Sequence, residues 1–345
     1  MTTSAPLSPE IDSKINVVIF ASGFDTGGQG FRLKTAFDRF QPAFSVRSVH
    51  SSQTYFDYPS DLHYKPAESY EIMAKAHVIH MRNSLAGLKR LRGSHNREPF
   101  GLVLHHHGSK FREEHKQVWA QNQAAGAFQV ASTIDLTLLE RDVAWLPSPF
   151  DIEELMSLRL KALQIRPIPE KWTPATPFRV AHAPTDRVKK STAILMEAIL
   201  ELNRRGIPTV LDLIERRSHA DCLARKAKAD VYFDQLHLGY GNNAVEAWGM
   251  VMPVVAGVDD GPIKVAMEWR WGALPFYQAT EATVADRLEE LATDSDLRAH
   301  WATIGYQHAL QYHDYESVAG LLAGYYRQTL AAPAIASRME VRALL

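Results

Sequence analysis

A chain of 345 residues is long for one domain and comfortable for two, each large enough to bury its own core. Hydrophobic content of 46% against 22% charged residues is that of a soluble globular protein, and a formal charge of −1 excludes a whole-protein basic field for nucleic acid or anionic membrane. The one cysteine, Cys222, excludes an internal disulfide framework and fits a reducing compartment. Met1 to Ser13 is polar and unlike a signal peptide, and no run approaches the roughly 20 apolar residues that span a bilayer. A cytoplasmic protein with no integral membrane segment is expected.

In chain order, a tail over residues 1–14 leads into Ile15–Phe20, an apolar run with the length of a buried strand. A glycine-rich turn follows, then a helical pattern over Phe31–Phe40. Further strands are predicted at His77–His80, Gly101–His105, Phe128–Ala131 and Val143–Leu146, with helices over Glu113–Ala125 and Ile134–Arg141 between them. Strand and helix alternating in this way predict a parallel sheet covered on both faces, here over residues 15–165.

Pro167, Pro169, Pro174 and Pro177 mark 166–178 as an extended linker. Beyond it the alternation restarts over 179–310, with strands at Phe178–Ala181, Thr209–Ile214, Val231–Phe233 and Pro253–Ala256. Helices are predicted at Thr192–Arg204, His219–Lys228 and Asn243–Met250. Val284–Leu330 reads as wholly helical, and 331–345 as a tail. The expected fold is α/β, two Rossmann-like domains facing across a cleft, with C-terminal helices. A ligand is expected at the strand C-termini.

Chemistry-bearing residues cluster at those strand ends. After Phe178–Ala181 comes a turn from His182 to Thr192 that carries Arg187 and Lys190 ahead of a helix. Full positive charges beside free helix-start N–H groups suit a diphosphate, and the same turn also fits a solvated basic surface. The run Asp234-Gln235-Leu236-His237-Leu238-Gly239-Tyr240-Gly241-Asn242-Asn243 follows another strand, with Glu246 one turn into the next helix. Loop N–H groups there face phosphate, and a carboxylate can accept both ribose hydroxyls; alternatively Glu246 only complements the helix dipole. Gly239, Gly241 and Ala244 also match the dinucleotide fingerprint, with Asp259 near the position of its ribose acid, which keeps an NAD-dependent oxidoreductase open.

The tract Arg187–Ala256 resembles the donor half of family 4 glycosyltransferases, which are retaining GT-B enzymes. The resemblance implies Arg187 and Lys190 on the β-phosphate, and Glu246, the second Glu of an E-x(7)-E motif, on the donor ribose. Pro253-Val254-Val255 matches the strand that follows. The chain departs at the first motif Glu, where Leu238 stands, so Asp234 or His237 is left to supply a polar group. In the first domain Asp25-Thr26-Gly27-Gly28-Gln29-Gly30 is similar to the family's glycine loop beneath the diphosphate, with Arg32 in the following helix. Of His105, His106 and His107, only the first and last share a strand face, a poor zinc site, and the resemblance places His107 at the donor sugar.

Asp294-Ser295-Asp296 has the form of a metal-holding D-x-D but the setting of a helix cap. The cluster Lys89, Arg90, Arg92, Arg97, Lys110 and Arg112 reads as a solvated face or as an attractor of a phosphorylated acceptor. The resemblance implies a metal-independent, retaining transfer with catalytic Arg187, Lys190 and His107, and donor binding by Gly27, Gly28, Gly241, Asn242, Asn243 and Glu246. It requires no cofactor beyond a nucleotide-diphosphate sugar as co-substrate. The acceptor stays open among a glycan, a lipid-linked sugar, a small molecule and a modified nucleic-acid base, and the helix at 311–330 is expected to return to the first domain. A catalytically silent GT-B-like binding protein is the remaining alternative, because of Leu238.

Overall fold

The computed structural model describes residues 14–21, 23, 25–50, 54–58, 62–63, 66–83, 85 and 100–331. The basic residues Lys89, Arg90, Arg92 and Arg97 and most of both predicted tails lie outside the described residues. The first unit contains β1 (Ile15–Ala21), α1 (Gln29–Phe40), β2 (Phe44–His50), β3 (Leu62–His63), α2 (Pro66–Ala74), β4 (Val78–Arg82) and β5 (Gly101–His106). It continues with α3 (Gly108–Ala124), β6 (Phe128–Ala131), α4 (Ile134–Thr137) and β7 (Val143–Trp145), after which comes α5 (Ile152–Ile165). Its seven strands pair in parallel in the order β3-β2-β1-β4-β5-β6-β7.

The run in β1 is apolar at successive positions because both of its faces are covered. Val17 and Ile19 enter one core with α1, while Val18 and Phe20 enter another with Met73 of α2.

The second unit holds β8 (Phe178–His182), α6 (Thr192–Arg204), β9 (Thr209–Leu213), α7 (His219–Lys226), β10 (Val231–Phe233), β11 (Leu238–Gly239), α8 (Asn242–Gly249), β12 (Val254–Val258), α9 (Pro262–Trp271) and β13 (Tyr277–Gln278). The order is β11-β12-β10-β8-β9, with β13 beside β12 and β11 antiparallel to it. Three helices close the chain: α10 (Val284–Thr293), α11 (Ser295–His313) and α12 (Tyr315–Ala331).

Two crossings join the units. The prolines of 166–178 suggest that the first crossing falls there, but α5, ahead of them, already packs on the second unit. Leu155 meets Gly249 of α8, and Arg159 Nη1 donates to the carbonyls of Ala227 (2.5 Å) and Ala229 (2.7 Å). The proline segment runs into β8 through bends, with Thr173 and Thr176 exchanging backbone hydrogen bonds (3.1 and 3.0 Å), and the crossing is at 147–151.

The chain returns through 313–315, beside the first crossing. Phe150 N donates to His313 O (2.7 Å), and Tyr315 N donates to Phe150 O (3.1 Å). From there α12 lies on the first sheet with Val318, Ala319, Leu322, Ala323 and Tyr326 inward, an apolar stripe at helical spacing. Tyr326 packs with Phe37 and Phe44 at ring separations of 5.5 and 6.1 Å. Burying such rings stabilises by roughly 1.5–3 kcal/mol each. Among the described residues no helix is long and apolar enough to cross a membrane.

Candidate functional site

A cavity of about 820 Å³ opens between the two sheets. Its walls are the loops at the strand C-termini of both units, as the topology of doubly wound sheets requires.

On the first-domain side, Gly27 and Gly28 have φ of +65° and +64°, a left-handed backbone that glycine adopts without cost. The space is also taken. A Cβ on Gly27 would stand 2.7 Å from Asn242 Nδ2, and one on Gly28 would strike the Tyr58 ring. Gly27 lines the cavity, and Gly28 turns toward Tyr58. Buried Asp25 holds the loop from below, accepting from the N–H groups of Gly30 (2.9 Å) and Phe31 (3.1 Å) and pairing with Arg82 Nη1.

Arg82 Nε in turn donates to His107 Nε2 (3.3 Å), so His107 Nδ1 carries the proton, with Ser132 Oγ 3.2 Å away. His107 lines the cavity, and burial next to Arg82 holds its pKa well below the usual histidine range. It is therefore a neutral ring with both nitrogens engaged. A sugar hydroxyl reaches it only by taking the place of Ser132.

On the second-domain side, His182 locks the end of β8. It donates from Nδ1 to Phe233 O and accepts at Nε2 from Thr192 Oγ1, both at 2.9 Å, and burial lowers its pKa to about 4. Lys190 projects from the following turn into the cavity and is steadied by Asp234 Oδ1 at 2.7 Å. The other oxygen of Asp234, which is fully buried, accepts from Gly241 N at 2.5 Å. The sequence leaves Asp234 or His237 to replace the missing motif Glu. In the structure Asp234 fixes the loop and Lys190, whereas His237 pairs with Asp259 (2.9 Å), away from the cavity wall.

Asn242 and Asn243 both line the cavity, and Asn243 Nδ2 donates to Ala183 O (3.1 Å). Arg187 does not join them. Its guanidinium forms a two-pronged pair with Glu215 (2.8 and 2.5 Å) and is 57% exposed outside the cavity wall. A carboxylate in reach binds the planar fork more closely than solvent would.

Glu246 lies at the cavity floor, one turn into α8, but its oxygens are not free. Oε1 accepts from Arg32 Nη2 and contacts His219 Nε2, each at 2.8 Å, and Oε2 accepts from Lys226 Nζ at 2.6 Å. Burial would raise its pKa, but Lys226, His219 and Arg32 together hold it well below the usual carboxylate range. A carboxylate offers about four lone-pair sites, so three contacts leave room for one more. Binding both ribose hydroxyls requires one of these partners to move.

The other expectations are placed as follows. Leu238 sits on β11 and does not line the cavity. Gly239 belongs to that antiparallel strand and Asp259 is bound to His237, an arrangement unlike a dinucleotide fingerprint. Asp294 caps α11, accepting from the N–H groups of Asp296 and Leu297, both at 2.9 Å. Arg112 pairs with Asp135 at 2.6 Å. The rings of His105 and His107 lie against each other at a tilt of 39°, with centroids 3.9 Å apart, and among the described residues no group of three or more His, Cys, Asp or Glu is placed to hold a metal.

Several wall residues escape the sequence reading. Gln29 stands inside the quoted glycine loop, and Ser132 and Thr133 follow β6 at its C-terminal end, so the strand-end rule already pointed to them. Arg216 and Arg217, after β9, carry the same signal. Tyr55, Phe56 and Tyr58 belong to a short segment with no periodicity, and only the tertiary fold brings them to the cavity.

No family model matches the sequence, and no curated protein matches it. Solved structures do. Anabaena HepE in complex with UDP and glucose aligns over 92% of this chain and 99% of its own, at 16% identity and a TM-score of 0.61. An α-glucosyltransferase in complex with UDP and a mismatched 13-mer DNA aligns over 90% and 99%, at 11% identity and 0.60. Sucrose-phosphate synthase from Thermosynechococcus elongatus aligns over 92% and 100%, at 13% identity and 0.61. At these identities the likeness shows the fold: two facing α/β domains arranged as in GT-B glycosyltransferases.

Proposed function

We propose that this chain is a glycosyltransferase moving a sugar from a nucleotide-diphosphate donor to an acceptor hydroxyl. The observation that carries the reading is the cavity wall itself. A cation held by a buried carboxylate (Lys190 on Asp234) meets the N-terminal end of α8 and a glycine loop from the opposite domain at one point. Positive charge and free N–H groups converging at strand ends suit a diphosphate. The UDP-bound neighbours of the same fold make uridine the first base to test.

In this reading the sugar–phosphate bond loosens toward an oxocarbenium ion, and Lys190 and the α8 N–H groups stabilise the departing diphosphate. The acceptor hydroxyl attacks from the same face and passes its proton to the departing diphosphate, with retention and without a metal. Catalysis rests on fixed electrostatics and positioning rather than on a protein nucleophile. Asn242, Asn243, Gly241 and Gly27 border the diphosphate. Glu246 takes ribose by exchanging one of its cations, and His107 meets the sugar as a neutral donor.

Nucleotide sugars and NAD(H) are to be screened by thermal shift, followed by NMR of the product anomer. Stabilisation by UDP-glucose or another nucleotide sugar, with an unchanged anomeric configuration in the product, is expected, and activity should persist in EDTA. Stabilisation by NAD(H) alone, or an inverted product, would contradict the reading.

A further inference from the structure

The reading above leaves the diphosphate with one side-chain cation, because Arg187 is engaged elsewhere. We infer that Arg216 is the second cation on the diphosphate, in the place the sequence gives to Arg187; this rests on the nucleotide-diphosphate reading of the cavity.

The argument begins with the strand ends. Strands β8 and β9 are neighbours in register, His182 beside Leu213, and Ile214 N donates to His182 O at 2.8 Å. The loop after β9 therefore lies next to the turn that bears Lys190. Within it, Glu215 is taken by Arg187. The next residue, Arg216, has φ of +50°, a left-handed conformation uncommon for a side-chain-bearing residue and concentrated at functional sites. That reversal separates the two neighbours: Glu215 pairs with Arg187 away from the cavity wall, and Arg216 is part of it.

Charge accounting then singles Arg216 out. Lys190 is compensated by Asp234, and Arg32 and Lys226 are compensated by Glu246. Arg217 has Asp221 at 3.7 Å. Among the described residues no carboxylate or carbonyl pairs with the Arg216 guanidinium, and Glu215, whose carboxyl it influences, is already neutralised by Arg187. The Arg216 guanidinium is thus exposed at the cavity wall with no carboxylate of its own, and its fork fits phosphate oxygens two at a time. The Arg187–Glu215 pair thus contributes at one remove, by keeping Glu215 away from Arg216.

The test is calorimetry with UDP, GDP and ADP on the parent protein; the diphosphate that binds is then carried to the variants, with its nucleoside followed by ligand-observed NMR. Arg216→Ala should weaken diphosphate binding by about tenfold to a hundredfold, the usual worth of a hydrogen bond to a charged group. Nucleoside binding should be unchanged, and Arg216→Lys should recover only part of the loss. The double variant Arg187→Gln with Glu215→Gln should bind as the parent does, because the pair is removed without releasing a carboxylate toward Arg216. Thermal melts check folding. If the parent binds none of the diphosphates, the nucleotide reading falls and this inference with it. If the parent binds and Arg216→Ala binds equally well, or loses nucleoside in the same proportion, the inference alone is overturned. Loss confined to the double variant would return the role to Arg187.

Discussion

Both glycine loops of this protein are built on one plan: a buried aspartate accepts from loop N–H groups and pairs with a cation. In the first domain Asp25 serves Gly30, Phe31 and Arg82; in the second, Asp234 serves Gly241 and Lys190. The difference is where the cation points. Arg82 is buried and passes its second contact inward to His107, whereas Lys190 lines the cavity. One device scaffolds a loop, and the other also presents a charge to ligand. Residue type and spacing alone cannot separate the two, because the distinction lies in the direction of one side chain.

The largest expected effect breaks this parallel. Asp25→Ala leaves Arg82 as a buried cation without its carboxylate and should cost roughly 3–5 kcal/mol of stability. Asp234→Ala should cost less, about 1–3 kcal/mol, because Lys190 can turn to water in the cavity; its main effect should be on diphosphate binding. Urea unfolding of both variants compares them, and equal losses of stability would remove the distinction.

The two sides also share a dependence on neutral histidine. Burial lowers the pKa of His80 to about 3 and of His106, His182 and His313 to about 4. Between these values and the ordinary 6.5 the unfolded chain binds protons that the folded chain excludes. Stability is therefore full above pH 6.5 and falls as pH drops toward 4, by up to about 1.4 kcal/mol per pH unit for each such group. Glu246, depressed by its cations, adds a loss of the same sign once the pH falls below the ordinary carboxylate range. Urea midpoints measured from pH 7.5 to 4.5 should decline steadily below 6.5, and a flat profile would contradict the burial of these rings as neutral groups.

Gly27 is where the two loops touch. An alanine there meets a left-handed backbone and Asn242 Nδ2 together, and should cost roughly 1–2 kcal/mol from the backbone alone. Adding Asn242→Ala should relieve the collision but leave the backbone cost, so a double-mutant cycle separates the two. A fully additive cycle would mean that the loops do not press on each other.

The fold was legible because its signals are local. Apolar runs of strand length alternate with helical patterns, as in Ile15–Phe20 and Thr192–Arg204, and parallel sheets buried on both faces produce them. Strand β2 and helices α2, α5 and α9 had no place in that reading. Helix α5 in particular depends on a tertiary fact, that its stripe covers the other domain. At the site, Lys190, Gly27, Asn242 and Asn243 were legible from strand-end position, and the structure brings them together. The engagement of Arg187 by Glu215 and of Glu246 by Arg32, His219 and Lys226 was not, since those partners lie 20 to 28 residues away or in another domain.

The smallest expected effect concerns the junction behind both loops. Gln29 of the first loop donates to Ser148 Oγ, while His313 Nδ1 donates to the carbonyl of the same Ser148 at 2.9 Å. His313 Nε2 then accepts from the hydroxyl of Tyr240 in the second loop (3.0 Å), which lies 3.1 Å from His308 Nε2. Ser148 and His313 stand on the two adjacent crossings, so the loops are tied to each other through those crossings rather than only across the cavity. Tyr240→Phe keeps the ring packed against Trp248 and removes the hydroxyl alone. A buried hydrogen bond of this kind is worth about 1 kcal/mol net, and the variant should lose that much in urea unfolding while binding diphosphate nearly as the parent does. Its second signature is local. Amide exchange should quicken at 239–241 and at Ser148 and Phe150 together, because one hydroxyl links them. Faster exchange in the glycine loop without change at the crossing would show that the loop is held by Asp234 alone, and the second loop would then have no tie to the crossings.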